Sequence, residues 1–259
     1  MLKDTLNSIS PLDGRYAAKV AELEKYFSEF ALIKNRFIVE VKWLIFMSKN
    51  KSIPFVKPFS KKNEKTLENL IINFSLKDAQ AIKKIESKTN HDVKAIELYI
   101  CKLLNDLNLS KYNEFVHFCC TSEDINNLSY SLMLKGFLDN EYKDINNILL
   151  KELKQKSKKW SGIAMLSHTH GQTASPTTLG KEIANFHERI KFHLTLLKSH
   201  IPAGKFNGAV GNYNAHLIVD EKINWQLISK KFVNSLGLSW SKYSTQIEQK
   251  DVLVSIMSV

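Results

Sequence analysis

Cysteine is scarce in this 259-residue sequence, and its three residues follow no metal-binding or disulfide pattern. Cys101, Cys119 and Cys120 are an odd number without a CxxC spacing, which fits a reduced cytoplasmic protein better than a disulfide framework or a zinc site. Long apolar runs are also missing, since the run at 41–47 is far shorter than the roughly 20 residues of a membrane span. The first residues show no apolar secretory segment. We therefore expect a cytoplasmic protein without a metal or a membrane partner.

Arginine is as scarce as cysteine. Only 3 arginines stand beside 34 lysines, and the formal net charge is +11. Arginine provides most bidentate recognition of phosphates and bases, so dispersed lysines do not indicate a nucleic-acid partner. The positive charge suits anionic small-molecule substrates instead.

Helical periodicity is the main pattern in the sequence. Apolar residues recur at spacings of three and four, and the predicted helices cover 17–50, 62–74, 77–87, 92–106, 123–158 and Pro176 to about His200. The helix at 123–158 would be about 50 Å long at 1.5 Å per residue, which favours a long-helix bundle over an α/β sheet. Strand signals are weak. The pattern predicts an all-α fold.

Five polar blocks interrupt the helices, each at a helix start or in a loop where free backbone N–H groups can bind anions. They are SPLDGRY (10–16), TNHDV (89–93), FVHFCCTSEDINN (115–127), SHTHGQTASPTT (167–178) and GKFNGAVGNYNAH (204–216). Taken singly, each has a structural interpretation. Thr121 or Ser122 can cap a helix, Asn90 can cap another, and His117 lies between apolar residues as core histidines do.

The two histidines at 168 and 170 do not form a metal motif, because no HExxH spacing or thiolate pair accompanies them. A single imidazole with a pKa near neutrality is enough for proton transfer. Neighbouring Ser, Thr and Gln side chains can fix its tautomer. The alternatives at this point are a capped loop and part of an active site.

In order and content, the blocks resemble the bacterial adenylosuccinate lyases of the aspartase/fumarase superfamily, from about residue 8 to the end. The resemblance implies an all-α fold with an N-terminal helical domain at 1–111 and the first part of a central long-helix bundle at 112–259. It also implies a homotetramer whose active sites are shared between subunits. The implied reaction is β-elimination of fumarate from succinylated purine nucleotides, without a cofactor.

Site residues follow from the same resemblance, position by position. His170 corresponds to the general acid of the family, whereas His168 receives no role. The substrate-binding positions are Arg15, Tyr16, Asn90, His91, Asp92, His117, Thr121, Ser122 and Gln246. Arg15 and Tyr16 correspond to phosphate contacts, and Thr121 and Ser122 to a site for the succinyl carboxylate.

One departure from the family is large. The GSSxMPxKxNP-like loop that carries the catalytic serine base does not occur in the sequence, and the last apolar residues, QKDVLVSIMSV, have no capping signal. We expect a fragment that is inactive alone. The alternatives are another fumarate-releasing enzyme such as argininosuccinate lyase, a non-catalytic remnant or helical interaction protein, and, least favoured, a nucleic-acid binder.

Overall fold

The structure, a computed structural model, describes residues 8–259, which form two units. The first unit comprises residues 8–136 and 202–250, and the second comprises residues 137–201 and 251–259. The division into domains at 1–111 and 112–259 stays a prediction, and its first seven residues lie outside the described part.

Most described residues are helical. In chain order the helices are α1 (Ala17–Val20), α2 (Glu24–Phe27), α3 (Glu29–Lys49), α4 (Lys61–Ile72), α5 (Leu76–Thr89), α6 (Asp92–Asp106), α7 (Ser122–Phe137), α8 (Lys143–Lys159), α9 (Leu179–Lys198), α10 (Asn214–Val219), α11 (Trp225–Ser235) and α12 (Asp251–Ser258). The described strands are β1 (Ala164–Thr169), β2 (Gln172–Thr178), β3 (Ala203–Gly204) and β4 (Ser239–Trp240). The predicted helical architecture is confirmed.

Helix α3 is the centre of the first unit. Apolar residues cover most of its circumference, as in a helix enclosed by neighbours. Trp43 is fully buried and contacts the rings of Phe206 and Phe232 at centroid distances of 4.6 and 4.9 Å. The core therefore joins α3 to segments more than 150 residues away along the chain.

The single helix predicted at 17–50 is wrong, because the chain breaks at Ser28. This residue is extended (φ −74°, ψ 163°), and its hydroxyl accepts a hydrogen bond from the N–H of Ala31. A serine N-cap of this kind starts a new helix. By contrast, the helices predicted at 62–74, 77–87 and 92–106 are confirmed as α4, α5 and α6 within about two residues at most ends.

The long helix predicted at 123–158 is confirmed with one local change. Helical backbone runs through α7, a π-helical turn at Leu138–Tyr142, and α8. Both flanking residues, Phe137 and Lys143, keep right-handed helical dihedral angles. The π turn inserts a wider turn without ending the helical path.

In the second unit, the block at 167–178 forms an antiparallel hairpin rather than a loop before a helix. Strand β1 pairs with β2, and Pro176 lies within β2 opposite Leu166. Helix α9 starts at Leu179, where the hydroxyl of Thr178 accepts from the N–H of Lys181. The prediction that Pro176 opens this helix is therefore wrong, because Thr178 provides the cap.

Candidate active site

Two charged side chains on buried α3 organise the polar part of the first unit. Arg36 and Glu40 are one helical turn apart and are only 6% and 2% exposed. Charged groups at such depth need partners. The partners of Arg36 and Glu40 lie in the polar blocks of the sequence.

Arg36 links the block at 89–93 to α7. Its Nη2 lies 2.6 Å from Oδ2 of Asp92, and its Nε donates to Oδ1 of Asn126 at 2.8 Å. Burial by itself would raise the pKa of the Asp92 carboxyl, but the N–H of Val93 and the charge of Arg36 outweigh it and lower that pKa. Asp92 is therefore held ionised at the start of α6.

The residues beside Asp92 have different capping roles from those predicted. Asn90 ends α5 in the left-handed conformation with φ 51°, and His91 is the N-cap of α6. The N–H of Lys94 donates to Nδ1 of His91 at 3.2 Å. The prediction of Asn90 as N-cap is wrong because asparagine suits the left-handed end of the preceding helix. Asn90 and His91 both remain exposed.

Glu40 holds His117 in the loop before α7. Nδ1 of His117 lies 2.6 Å from Oε1 of Glu40, and its Nε2 lies 3.8 Å from Oε1 of Glu97. Burial opposes the charged imidazole, but the hydrogen bond and charge of Glu40, with Glu97, raise the pKa of His117 above its ordinary value. Trp43 adds a second anchor by donating to the carbonyl of Phe118 at 3.1 Å.

The start of α7 is joined to the glycine-rich block at 204–216. Asp124 is fully buried, and its carboxylate accepts the N–H groups of Thr121, Asn207 and Gly208 at 3.0–3.1 Å. Its Oδ1 also lies 2.9 Å from Nζ of Lys205. Thr121 precedes the helix, and Ser122 is its first residue; both are half-buried.

Gln246 lies in a segment that is fixed on both sides. Asn207 exchanges hydrogen bonds with the hydroxyl of Ser244 at 2.9 and 3.1 Å, and Ser241 donates to buried Glu248 at 2.8 Å. A Cβ on Gly211 (φ 82°) would collide with the backbone oxygen of Ser244, so the two segments are in close backbone contact. The Gln246 side chain itself is exposed.

Arg15 and Tyr16 are exposed in the turn before α1. The guanidinium carbon of Arg15 lies 5.4 Å from the centroid of the Tyr16 ring, within the range of a cation–π contact. This contact leaves the donors of the guanidinium available to an anion.

His168 and His170 belong to the hairpin of the second unit and are both exposed. His170 and Gly171 form its two-residue loop with φ values of 52° and 74°, as in a type I′ turn. His170 is thus at the tip of a short β-hairpin, in a different unit from the other predicted site residues.

Sequence patterns did not identify five charged or polar side chains of this site, namely Arg36, Glu40, Asp124, Asn126 and Lys205. A charged residue on the buried face of α3 is the signal that could have revealed Glu40. Among residues 8–259, no group of three or more His, Cys, Asp or Glu side chains has the arrangement of a metal site. No helix in that range is long and apolar enough to cross a membrane.

A family model described as Lyase matches residues 14–259. Adenylosuccinate lyase of Haemophilus influenzae is 46% identical over 98% of this chain and 56% of its own length. Adenylosuccinate lyase of Legionella pneumophila (strain Corby) is 44% identical over 100% of this chain and 57% of its own length. The crystal structure of a fumarate lyase from Mesorhizobium sp. BNC1 superposes with a TM-score of 0.71 at 14% identity, over 92% of this chain and 52% of that one. The chain thus spans slightly more than half the length of these curated relatives.

Proposed function

The chain belongs to the lyase family whose model covers residues 14–259, and we propose that the protein containing it is an adenylosuccinate lyase. The observation that carries this proposal is 46% identity over nearly the whole chain to a protein of that name. The reaction is β-elimination of fumarate from adenylosuccinate, giving AMP, and from the succinylaminoimidazole carboxamide ribotide. Both belong to purine nucleotide biosynthesis.

The contacts in the first unit support a common role for the polar blocks. Arg36 links Asp92 to Asn126 of α7, and Asp124 links Thr121 to Asn207 and Gly208. Contacts of this kind behind a binding site hold its groups in fixed positions. We assign to the site Asn90, His91, Asp92, His117, Thr121, Ser122 and Gln246, with Arg15 and Tyr16 as phosphate contacts.

His170 is the proposed general acid. Release of the nucleotide nitrogen requires a proton donor, and an exposed imidazole is suited to that role. The substrates are succinylated purine nucleotides. A cytoplasmic homotetramer with active sites shared between subunits fits the family, and so does a division into domains at 1–111 and 112–259.

The direct test uses the protein encoded by the complete reading frame that contains these 259 residues. Ultraviolet absorbance follows the cleavage of adenylosuccinate by the wild type and by His170→Gln, with His168→Gln as the control on the same hairpin. We expect His170→Gln to lose at least about a hundredfold in kcat while keeping substrate binding. A wild type that cleaves argininosuccinate but not adenylosuccinate would refute the proposed substrate, and full turnover in His170→Gln would refute the acid.

A further inference from the structure

Lys205 is a fully buried lysine with no role among the predicted site residues. Its Nζ lies 2.9 Å from Oδ1 of Asp124 and donates to the carbonyl of Gly208 at 2.9 Å. Its backbone is fixed as well, because its N–H donates to Asn127, and its carbonyl accepts from the same amide at 3.1 Å. The pair therefore joins the first turn of α7 to the glycine-rich block.

Hydrogen bonding alone does not explain why a lysine occupies this position. Asp124 already accepts three backbone N–H groups, which satisfy most of the acceptor capacity of a carboxylate. A buried ion pair is often no more stabilising than an apolar pair of similar volume. What only a cation supplies here is a positive charge beside the carboxylate.

That charge matters because of the location of Asp124. It lies in the first turn of α7, and its Oδ2 is 3.0 Å from the backbone nitrogen of Thr121. Thr121 and Ser122 are the proposed contacts of a substrate carboxylate. An unbalanced negative charge in the same turn would repel that carboxylate and offset the favourable end of the helix dipole.

We propose that Lys205 is a positioning residue of the lyase site: through Asp124 it holds the segment at 204–208 against α7, and it balances the charge of the Asp124 carboxylate for binding of a substrate carboxylate. The inference rests on the proposed function. Loss of the lysine leaves a like charge within one helical turn of the bound carboxylate, which weakens its binding by on the order of tenfold to a hundredfold.

The test measures product inhibition separately for fumarate, a dicarboxylate, and AMP, which carries no succinyl carboxylate. The variants are Lys205→Met and the double variant Lys205→Met/Asp124→Asn, in the product of the complete reading frame. Lys230→Met, an exposed lysine on α11, is the matched control. We expect Lys205→Met to weaken inhibition by fumarate at least about tenfold and by AMP less than about threefold. The double variant should regain fumarate inhibition because it removes both charges.

Each other outcome has a definite meaning. Equal weakening of fumarate and AMP in Lys205→Met, or a folded double variant without recovery, would overturn the proposal. If Lys205→Met does not fold, the double variant alone decides by its fumarate inhibition; if neither folds by circular dichroism, the pair is only structural and the proposal is wrong. A wild type that releases no fumarate refutes the proposed function instead, which keeps the two failures distinct.

Discussion

The most informative single substitution for stability is His216→Phe. His216 is only 1% exposed, and neither ring nitrogen has a hydrogen-bond partner. Its ring lies against Tyr213 and Trp225, with centroid distances of 5.4 and 5.0 Å. Burial lowers the pKa of His216 from 6.5 to about 4, and the charge of Asp124 opposes this only in part.

The sign of the pH effect follows from this difference. The folded-state pKa lies below the unfolded-state value of 6.5, so the unfolded chain takes up a proton first as the pH falls. The stability contribution is present above pH 6.5 and is lost as the pH falls toward 4. Between pH 7 and pH 5, the two pKa values give a loss of about 2 kcal/mol in the free energy of unfolding.

The substitution His216→Phe should remove this pH-dependent loss of stability. At pH 7 the substitution has two opposing effects on the free energy of unfolding. Removal of the two unpaired ring nitrogens stabilises the fold by about 1–3 kcal/mol, and the larger ring can destabilise it by a similar amount. The pH dependence is therefore the diagnostic quantity. Urea unfolding, followed by tryptophan fluorescence and circular dichroism at pH 7 and pH 5, should show a fall about 2 kcal/mol smaller in His216→Phe than in the wild type. The control is His193→Phe, an exposed site on α9. Equal falls in the wild type and His216→Phe would refute the reasoning.

Three further predictions concern the site. Gly211→Ala should lower the free energy of unfolding in urea by at least about 2 kcal/mol, because φ is 82° and the added Cβ would collide with the backbone of Ser244. Gly162→Ala is the control, since a Cβ there meets no other atom, and it should change stability little. Equal effects of the two substitutions would contradict this prediction. Glu40→Gln should lower the free energy of unfolding by about 1–3 kcal/mol at pH 6 and by less at pH 9. The pKa of His117 is raised in the folded state, so the stabilisation by its ion pair with Glu40 is present below pH 6.5 and is lost as the pH rises through the folded-state pKa. A difference that does not depend on pH would refute the charged pair. Arg15→Lys, which loses the planar donor fork, should mainly raise KM, and an unchanged KM for both substrates would make Arg15 a surface charge.

Apolar periodicity correctly predicted the helices whose ends are set by capping residues close by in the sequence. Helices α4, α5 and α6 have polar or capping residues at their starts, and their apolar spacing is regular, so the prediction and the structure agree. The break at Ser28 was missed because the apolar spacing continues through it. The hairpin of β1 and β2 was missed because its strands are largely exposed and lack the usual alternation of buried and exposed residues.

The partners of the site residues depend on contacts that no local pattern contains. Asp92 pairs with Arg36 from a helix 56 residues earlier, and Asp124 pairs with Lys205 from 81 residues later. Neither spacing belongs to a motif. The resemblance could indicate candidate substrate-binding residues, but the charged side chains that contact them become identifiable only once the helices are packed.

The backbone shows why these supporting contacts are needed. Among the described residues outside glycine, left-handed dihedral angles occur at Asn90, Asn108, His117, Cys119, His170, Tyr213 and Lys250, and five of these seven lie in the polar blocks. Asparagine adopts this conformation readily, but for residues such as histidine, cysteine and tyrosine it carries strain that surrounding contacts must offset. At His117 the offset is visible in the Glu40 carboxylate and in the Trp43 hydrogen bond to the next carbonyl. Contacts from α3 therefore stabilise the conformation of the loop before α7. Substitutions at Glu40 or Trp43 should then displace Thr121 and Ser122, although these two residues are themselves unchanged.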